Sequence, residues 1–401
     1  MKNWILTLLA LTGLVGGACL ALPKDVRALI LTAPTNLDVL FWTVEQRDAG
    51  FRALDQAPLL APSNPIKAGG DPLALPQGAA LPLPQSELDA SMQAQRTAGL
   101  VIVQDGKIRL ERYGLGFSAQ GRWTSFSVGK SLTSALIGVA MKQGKIKSLN
   151  DRLTAYIPGL AGSVYDGVTV DQLMTMTTGV GWNENYEDPQ SDVSRFLDAK
   201  PDPGMEAAVS YMRKLKRVAP AGSRWNYSSG ETKLVGVLLR NATGQSAASY
   251  LSDHIWKPFG MEGDASWMLD ASGKEMTDCC LQAATRDFAR FGLFMLGGAK
   301  IKGQPILDDA YLARGMIKQA DIGYPGFGYG FQWWTHDDGA YQAKGIFGQG
   351  IFIDPKRNLV IASNGNWPKA DGLELDAVRD RFYFRIRALI DAEAAAAKLA
   401  R

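Results

Sequence analysis

Eleven consecutive residues without a charge, Ser131 to Met141, begin directly after Ser127-Val128-Gly129-Lys130. The run is apolar and suited to helix, and it predicts a helix buried over most of its surface, which needs a large core to surround it. Its first turn carries two polar side chains into that core. Residues three apart share a helix face, so the Ser127 hydroxyl and the Lys130 amine can meet. Burial disfavours an ammonium, so a buried Lys130 becomes able to accept a serine proton near neutrality. This is the only Ser-x-x-Lys in the chain. A chance pair on the surface is the ordinary alternative, and the segments further along decide between the two.

Other chemistries find little support. Lysine plus arginine exceed aspartate plus glutamate by 43 − 40 = 3, with no dense basic run, so nucleic-acid binding is not expected. The two histidines, His254 and His336, have no partner pattern, which leaves no credible Ser-His-Asp triad. Cys19, Cys279 and Cys280 give neither a disulfide framework nor a zinc spacing, and no metal or cofactor is expected. Adjacent Cys279 and Cys280 are read as two packed thiols, because a bridge between neighbours is strained. Gly129-Lys130-Ser131 resembles the end of a phosphate-binding loop, but Thr124 stands where that motif needs glycine. Gly116-Phe117-Ser118-Ala119-Gln120 lacks the last glycine of a nucleophile elbow.

Lys2 and Lys24 bracket an uncharged stretch from Trp4 through Pro23. Residues 1–23 therefore read as a signal peptide or membrane anchor, with residues 4–23 just long enough to span a bilayer. Gly16 and Ala18 are small residues at −3 and −1 before Cys19, as a cleavage site requires, and a lipoprotein signal is a third reading. All three export the remainder to the periplasm or cell envelope. Residues 24–84 read as an N-terminal arm or linker, irregular apart from some helical periodicity over Thr32 to Arg47 and rich in Pro, Ala and Gly after it: an extended arm lying on the domain, or a spacer from the membrane.

From 99 to 113 the alternation around Asp105-Gly106 predicts a hairpin with a two-residue type I′ turn. Residues 145 to about 284 read as mostly helical. Val168 to Met174 is a capped helix start, Ser194 to Lys216 a helix interrupted by Pro201 to Pro203, and Thr232 to Leu251 a further helix. Strands are expected at Gly328–Trp334, Ala340–Lys344, Gly350–Ile353 and Leu359–Ser363, followed by a long helix from Leu373 to Leu399. Strands at both ends with helices between argue for an α+β chain: an α/β sandwich subdomain with an antiparallel sheet, carrying an inserted helical subdomain, within one domain over 85–401.

Three polar segments follow Ser127: the loop Trp182-Asn183-Glu184-Asn185-Tyr186-Glu187-Asp188-Pro189, the turn Tyr227-Ser228-Ser229, and Lys344-Gly345-Ile346-Phe347-Gly348-Gln349-Gly350. The last is a glycine-rich strand edge, where missing side chains let a substrate approach the backbone. In this order they resemble the serine β-lactamase and penicillin-binding superfamily, with its boxes S-x-x-K, Y-x-N or S-x-N, and K-T-G. The likeness is closest to 6-aminohexanoate-dimer (nylon-oligomer) hydrolases and related esterases. It also rests on Met176-Thr177-Thr178-Gly179, Thr285-Arg286-Asp287-Phe288-Ala289-Arg290-Phe291-Gly292 and Asp354-Pro355, and spans roughly 85 to 395.

The resemblance implies a serine β-lactamase-like fold and a cofactor-free serine hydrolase acting on a small ester or linear amide. Ser127 would be the nucleophile, Lys130 its proton acceptor and Tyr227 the shuttle to the leaving group. The backbone N–H groups of Ser127 and Ile346 would form the oxyanion hole, with Tyr186 and Gly345 against the substrate. Which of Lys130 and Tyr227 takes the first proton stays open. Trp182, Trp333 and Trp334 are expected as core or cleft wall, and Gln349 as a backbone partner at the strand edge. Two departures count: Ser229 replaces the asparagine of the second box, and Ala343 replaces the lysine of the third. Lys344 is adjacent but should point to the opposite face of its strand. A penicillin-recognising peptidase or weak β-lactamase is the rival enzyme, and a non-catalytic cell-envelope binding protein is the rival of another class.

Overall fold

A computed structural model describes residues 24–32, 38–56 and 61–400. The expected signal or anchor, residues 1–23, lies outside the described residues.

The N-terminal stretch is more ordered than an arm of irregular chain. It forms helices α1 (Lys24–Thr32) and α2 (Val44–Ala53) and strand β1 (Ser63–Ile66), with α2 opened by a Thr43/Gln46 capping box. Helix α3 (Gln85–Ala94) leads into β2 (Thr97–Gln104) and β3 (Lys107–Tyr113). Asp105 and Gly106 join these two strands with φ of 50° and 71°, the paired left-handed residues of the expected turn. Strand β4 (Trp123–Thr124) precedes α4 (Val128–Lys142), the uncharged helix, whose residues are buried from Val128 through Ala140.

The middle of the chain is helical, but in shorter pieces than its periodicity suggests. Helix α5 (Val170–Met174) has the expected cap, a Thr169/Gln172 capping box. The stretch read as a helix from Ser194 begins earlier, as α6 (Asp192–Leu197) capped by Ser191, and resumes as α7 (Ala207–Met212). The stretch read from Thr232 starts at Ser229 as α8 (Ser229–Thr243), breaks at Gly244 and continues as α9 (Ala247–Leu251). The helical segment also ends sooner than 284. Strands β5 (Ala265–Met268) and β6 (Leu281–Ala283) lie within it, completing a sheet of order β1-β5-β6-β4. That pairing draws on partners about 200 residues away in sequence, which local periodicity does not report.

Helix α10 (Thr285–Leu296), a small hairpin of β7 (Lys300–Ile301) and β8 (Gln304–Pro305), and α11 (Asp309–Gly315) come next. The chain then forms β9 (Phe327–Tyr329), β10 (Trp334–His336), β11 (Tyr341–Gly345), β12 (Gln349–Asp354), β13 (Leu359–Gly365) and α12 (Leu373–Leu399). The strand read as Gly328–Trp334 is two strands. Gln332 sits between them at φ 61° and its amide N–H turns to the Met174 carbonyl instead of a ladder partner.

The large sheet is antiparallel with order β3-β2-β13-β12-β11-β10-β9. Both of its faces are buried, and the two-residue period sorts them. Val101, Val103, Ile351, Ile353, Val360 and Ala362 pack with α4 and α10 in the main core. Leu100, Ile102, Phe352 and Ile361 pack with α3 and α12 in a second core. The chain is therefore α+β, an antiparallel sheet between helical layers with a helical insertion.

Candidate active site

The end of β11 and the start of α4 are packed without a gap. A Cβ on Gly345 would sit 2.7 Å from the Ser125 carbonyl oxygen and 3.1 Å from the Ser127 nitrogen, so only glycine lets the strand edge lie against that backbone. Phe126, directly before Ser127, has φ of 40°, and Phe347, two residues after Gly345, has φ of 60°. Neither conformation is ordinary for a side chain with a Cβ. Both are held by packing: the Phe126 and Phe347 rings lie 5.3 Å apart, and Phe51 of α2 sits 5.0 and 5.6 Å from them.

Ser127 caps α4 and Lys130 stands one turn on, 1% exposed. Its Nζ lies 3.2 Å from Ser127 Oγ, 2.9 Å from Ser229 Oγ and 3.0 Å from the Asp278 carbonyl oxygen. Burial lowers its pKa below the usual lysine range, against the opposing pull of the Asp278 and Glu184 charges. Tyr227 joins the pair. Its ring centre is 5.2 Å from Lys130 Nζ, it stacks on Trp334 at 5.6 Å, and its hydroxyl has Ser127 as a partner. Burial, then the Glu184 charge, raises the Tyr227 pKa well above that of a free phenol, and the Ser127 hydrogen bond only partly opposes this.

Glu184 has no role in the sequence reading, although it stands inside the quoted loop. Its carboxylate receives Tyr186 OH at 2.7 Å, the Ser229 N–H at 3.0 Å, the Ser229 hydroxyl and Trp182 Nε1. It thus lies at the N-terminus of α8, where a negative charge is favoured. Trp182, Glu184 and Tyr186 occur at every second position, a spacing that puts three side chains on one side of an extended loop. That pattern was the available signal. Tyr186 lines the cleft, with its hydroxyl committed to Glu184.

Ile346 lines the same cleft as Ser127. Gln349 bonds backbone as expected: its Nε2 donates to the carbonyls of Ile346 and Gly365, and its Oε1 accepts from the Gly365 N–H. Trp182 and Trp333 are buried in the core. Lys344 reaches Asp376 of α12 at 3.0 Å, while Ala343 packs in the main core on the other face of β11. His254 packs on Tyr250 and His336 between Phe327 and Phe352. Among the described residues no group of three or more His, Cys, Asp or Glu side chains is arranged to hold a metal ion.

The expectation of two packed thiols is corrected. Cys279 and Cys280 form a disulfide with S–S 2.09 Å, and both line the cleft beside Asp278. The left-handed backbone of Cys280, φ 66°, turns the two side chains toward each other. Trp267 Nε1 holds the Cys279 carbonyl at 2.9 Å and the Met268 N–H holds that of Cys280 at 3.1 Å. A bridge between neighbours closes no long loop, so its effect is local, on the segment whose Asp278 carbonyl meets Lys130.

Glu231, on the first turn of α8, is 2% exposed; Thr178 and Tyr165 share its Oε1, and its Oε2 has no protein partner. Burial pushes its carboxyl from 4.5 up to about 8. Folding therefore retains a proton that the unfolded chain releases, and this group's contribution to stability is full below about pH 4.5 and falls as pH rises toward 8. Glu231→Gln keeps the shape without the titration. Its Tm should exceed that of the parent at pH 8 by more than at pH 5. Equal differences at both pH values in thermal unfolding would contradict a buried, protonated Glu231.

The Beta-lactamase family profile matches residues 85–382. Over 301 residues the chain is 28% identical to a 6-aminohexanoate-dimer hydrolase from Paenarthrobacter ureafaciens, covering 71% of this chain and 76% of that one. Among solved structures, a Bacillus anthracis protein described as a 6-aminohexanoate-dimer hydrolase superposes with a TM-score of 0.73 at 26% identity, over 85% of this chain and 93% of its own. A family VIII carboxylesterase, 15% identical, shares the fold with a TM-score of 0.59 over 77% of this chain and 99% of its own.

Proposed function

The chain belongs to the Beta-lactamase family, and from that premise we propose a serine hydrolase that cleaves a carboxylic ester or linear amide through an acyl-enzyme on Ser127. The observation that carries this reading is the buried Lys130 amine 3.2 Å from the Ser127 hydroxyl. A neutral amine has two N–H donors and one lone pair. The two donors match Ser229 Oγ and the Asp278 carbonyl, which leaves the lone pair to accept the Ser127 proton. Ser229 accepts a hydrogen bond from Lys130 and donates one to Glu184, so Glu184 positions the base without touching the substrate.

Attack by Ser127 Oγ on the carbonyl carbon places negative charge on the carbonyl oxygen, which the N–H groups of Ser127 and Ile346 receive. Tyr227, its pKa raised, stays a neutral phenol and gives its proton to the leaving oxygen or nitrogen; the Lys130 ammonium then reprotonates it. Lys130 is therefore the first acceptor and Tyr227 the acid. Water completes the cycle by attacking the acyl carbon with the roles reversed. Export belongs to the same reading, supported by the uncharged stretch before Lys24 and by a disulfide, a bond that oxidising compartments maintain.

Linear substrates are favoured over penicillins. Ala343 stands where the third box carries its cation, and Lys344 is engaged with Asp376 on the far face of the strand. Loss of one charge-assisted contact weakens capture of a penicillin carboxylate by about 10- to 100-fold. The relative from Paenarthrobacter ureafaciens is named for hydrolysis of a 6-aminohexanoate dimer, which supports that reading. Steady-state kcat/KM should be higher for nitrophenyl butyrate, and measurable for an aminohexanoate dimer, against a chromogenic cephalosporin. A cephalosporin with the highest value of the three would replace this reading with a penicillin-recognising one. Absence of turnover and of fluorophosphonate labelling would favour the non-catalytic binding protein.

A further inference from the structure

The family match begins at residue 85, yet the cleft beside Ser127 is walled in part by residues before it. The cavity holds about 580 Å³, within the range of sites that enclose a drug-sized molecule. Val39, Leu40 and Leu54 form one part of its lining, and Phe196, Leu197 and Met268 another. The N-terminal part is fixed in place. Phe51 packs among Trp123, Phe126 and Phe347, and the Arg47 guanidinium lies 4.4 Å over the Phe347 ring. Arg47 also binds Asn366 Oδ1 at 2.8 Å and the Trp367 carbonyl at 3.0 Å. The same segment therefore buttresses the strand end that carries Ile346 and closes the cleft.

The charged lining is one-sided. Asp38, Asp198, Asp270 and Asp278 face the cavity, and among the described lining residues Lys233 is the one cation. Lys233 is itself paired, 3.3 Å from Asp270 and 3.9 Å from Asp278. A carboxylate on the substrate would meet repulsion there, whereas an uncharged hydrocarbon chain meets apolar wall.

We propose that residues 38–54 are a substrate-selecting wall, and that the enzyme takes acyl groups with a hydrocarbon chain of about six carbons or more whose far end carries no carboxylate. This rests on Ser127 being the acylated serine. Each methylene taken out of water adds to binding, so several of them multiply kcat/KM even when only partly enclosed. With the full chain, kcat/KM for nitrophenyl octanoate should exceed that for nitrophenyl acetate by about 10-fold or more. The mononitrophenyl ester of octanedioic acid, equal in length but ending in a carboxylate, should fall at least about 10-fold below the octanoate. Leu40→Asp places a charge in the wall and should lower the octanoate-to-acetate ratio, with circular dichroism and fluorophosphonate labelling reporting that the protein remains folded. The unsubstituted enzyme's chain-length series tests the wall without any variant. Acetate turned over as well as octanoate overturns the wall and leaves the serine hydrolase standing. An unaltered ratio in a folded Leu40→Asp variant also overturns the wall. No turnover of any ester overturns both readings.

Discussion

Replacing Ser127 by alanine is expected to lower ester kcat by about 10,000-fold or more and to abolish covalent labelling by a fluorophosphonate, because no acyl-enzyme can form. The fold should tolerate the change. Ser127 makes no side-chain cap to α4, and among the described residues its Oγ meets Lys130 and Tyr227. The variant should still bind substrate, since the cleft walls and the neighbouring backbone are unaltered. Covalent labelling retained at another serine, mapped by peptide mass, would falsify the assignment.

The second large effect concerns the relay. Lys130→Ala and Tyr227→Phe should each lower kcat by about 100-fold or more, the scale of general acid–base assistance. The double variant should be little worse than the worse single one, because the groups act as a unit. Lys130→Arg separates a base from a mere positive charge. A guanidinium does not deprotonate in a protein, so it keeps the charge and loses the lone pair. Activity near that of the parent in Lys130→Arg would remove lysine as the base. In the parent, kcat/KM should rise with pH through an apparent pKa below the usual lysine value, since burial favours the neutral amine. That limb should vanish from the residual activity of Lys130→Ala. The alkaline limb should lie above the range of a free phenol, because Tyr227 holds its proton.

The elements that the sequence predicts correctly are those set by neighbours in the chain. Asp105 and Gly106 adopt left-handed conformations because the turn they close is two residues long, and both facts are local. Helix α12 runs from Leu373 to Leu399, a stretch with no Gly or Pro to break it. Ser127 and Lys130 meet because helix geometry places i and i+3 on one face. That Lys344 and Ala343 lie on opposite faces of β11, the one paired with Asp376 and the other in the core, follows from the two-residue strand period.

The three-dimensional fold decided whatever depends on partners distant in sequence. Glu184 reaches Ser229, 45 residues on, and no spacing rule ties a loop carboxylate to a helix start that far away. Lys130 reaches the Asp278 carbonyl across 148 residues, and only there does the Cys279–Cys280 disulfide acquire a place beside the amine. The stretch after Arg47 looks like a linker because its Pro and Ala content carries no period. Its order comes from partners distant in sequence: Phe51 packs on the Phe347 ring, and β1 pairs with β5 about 200 residues later. A local pattern sets which backbone conformation is cheapest for a few residues at a time. Which faces then meet, and hence the shape and charge of the cleft, depends on burying the whole apolar surface at once.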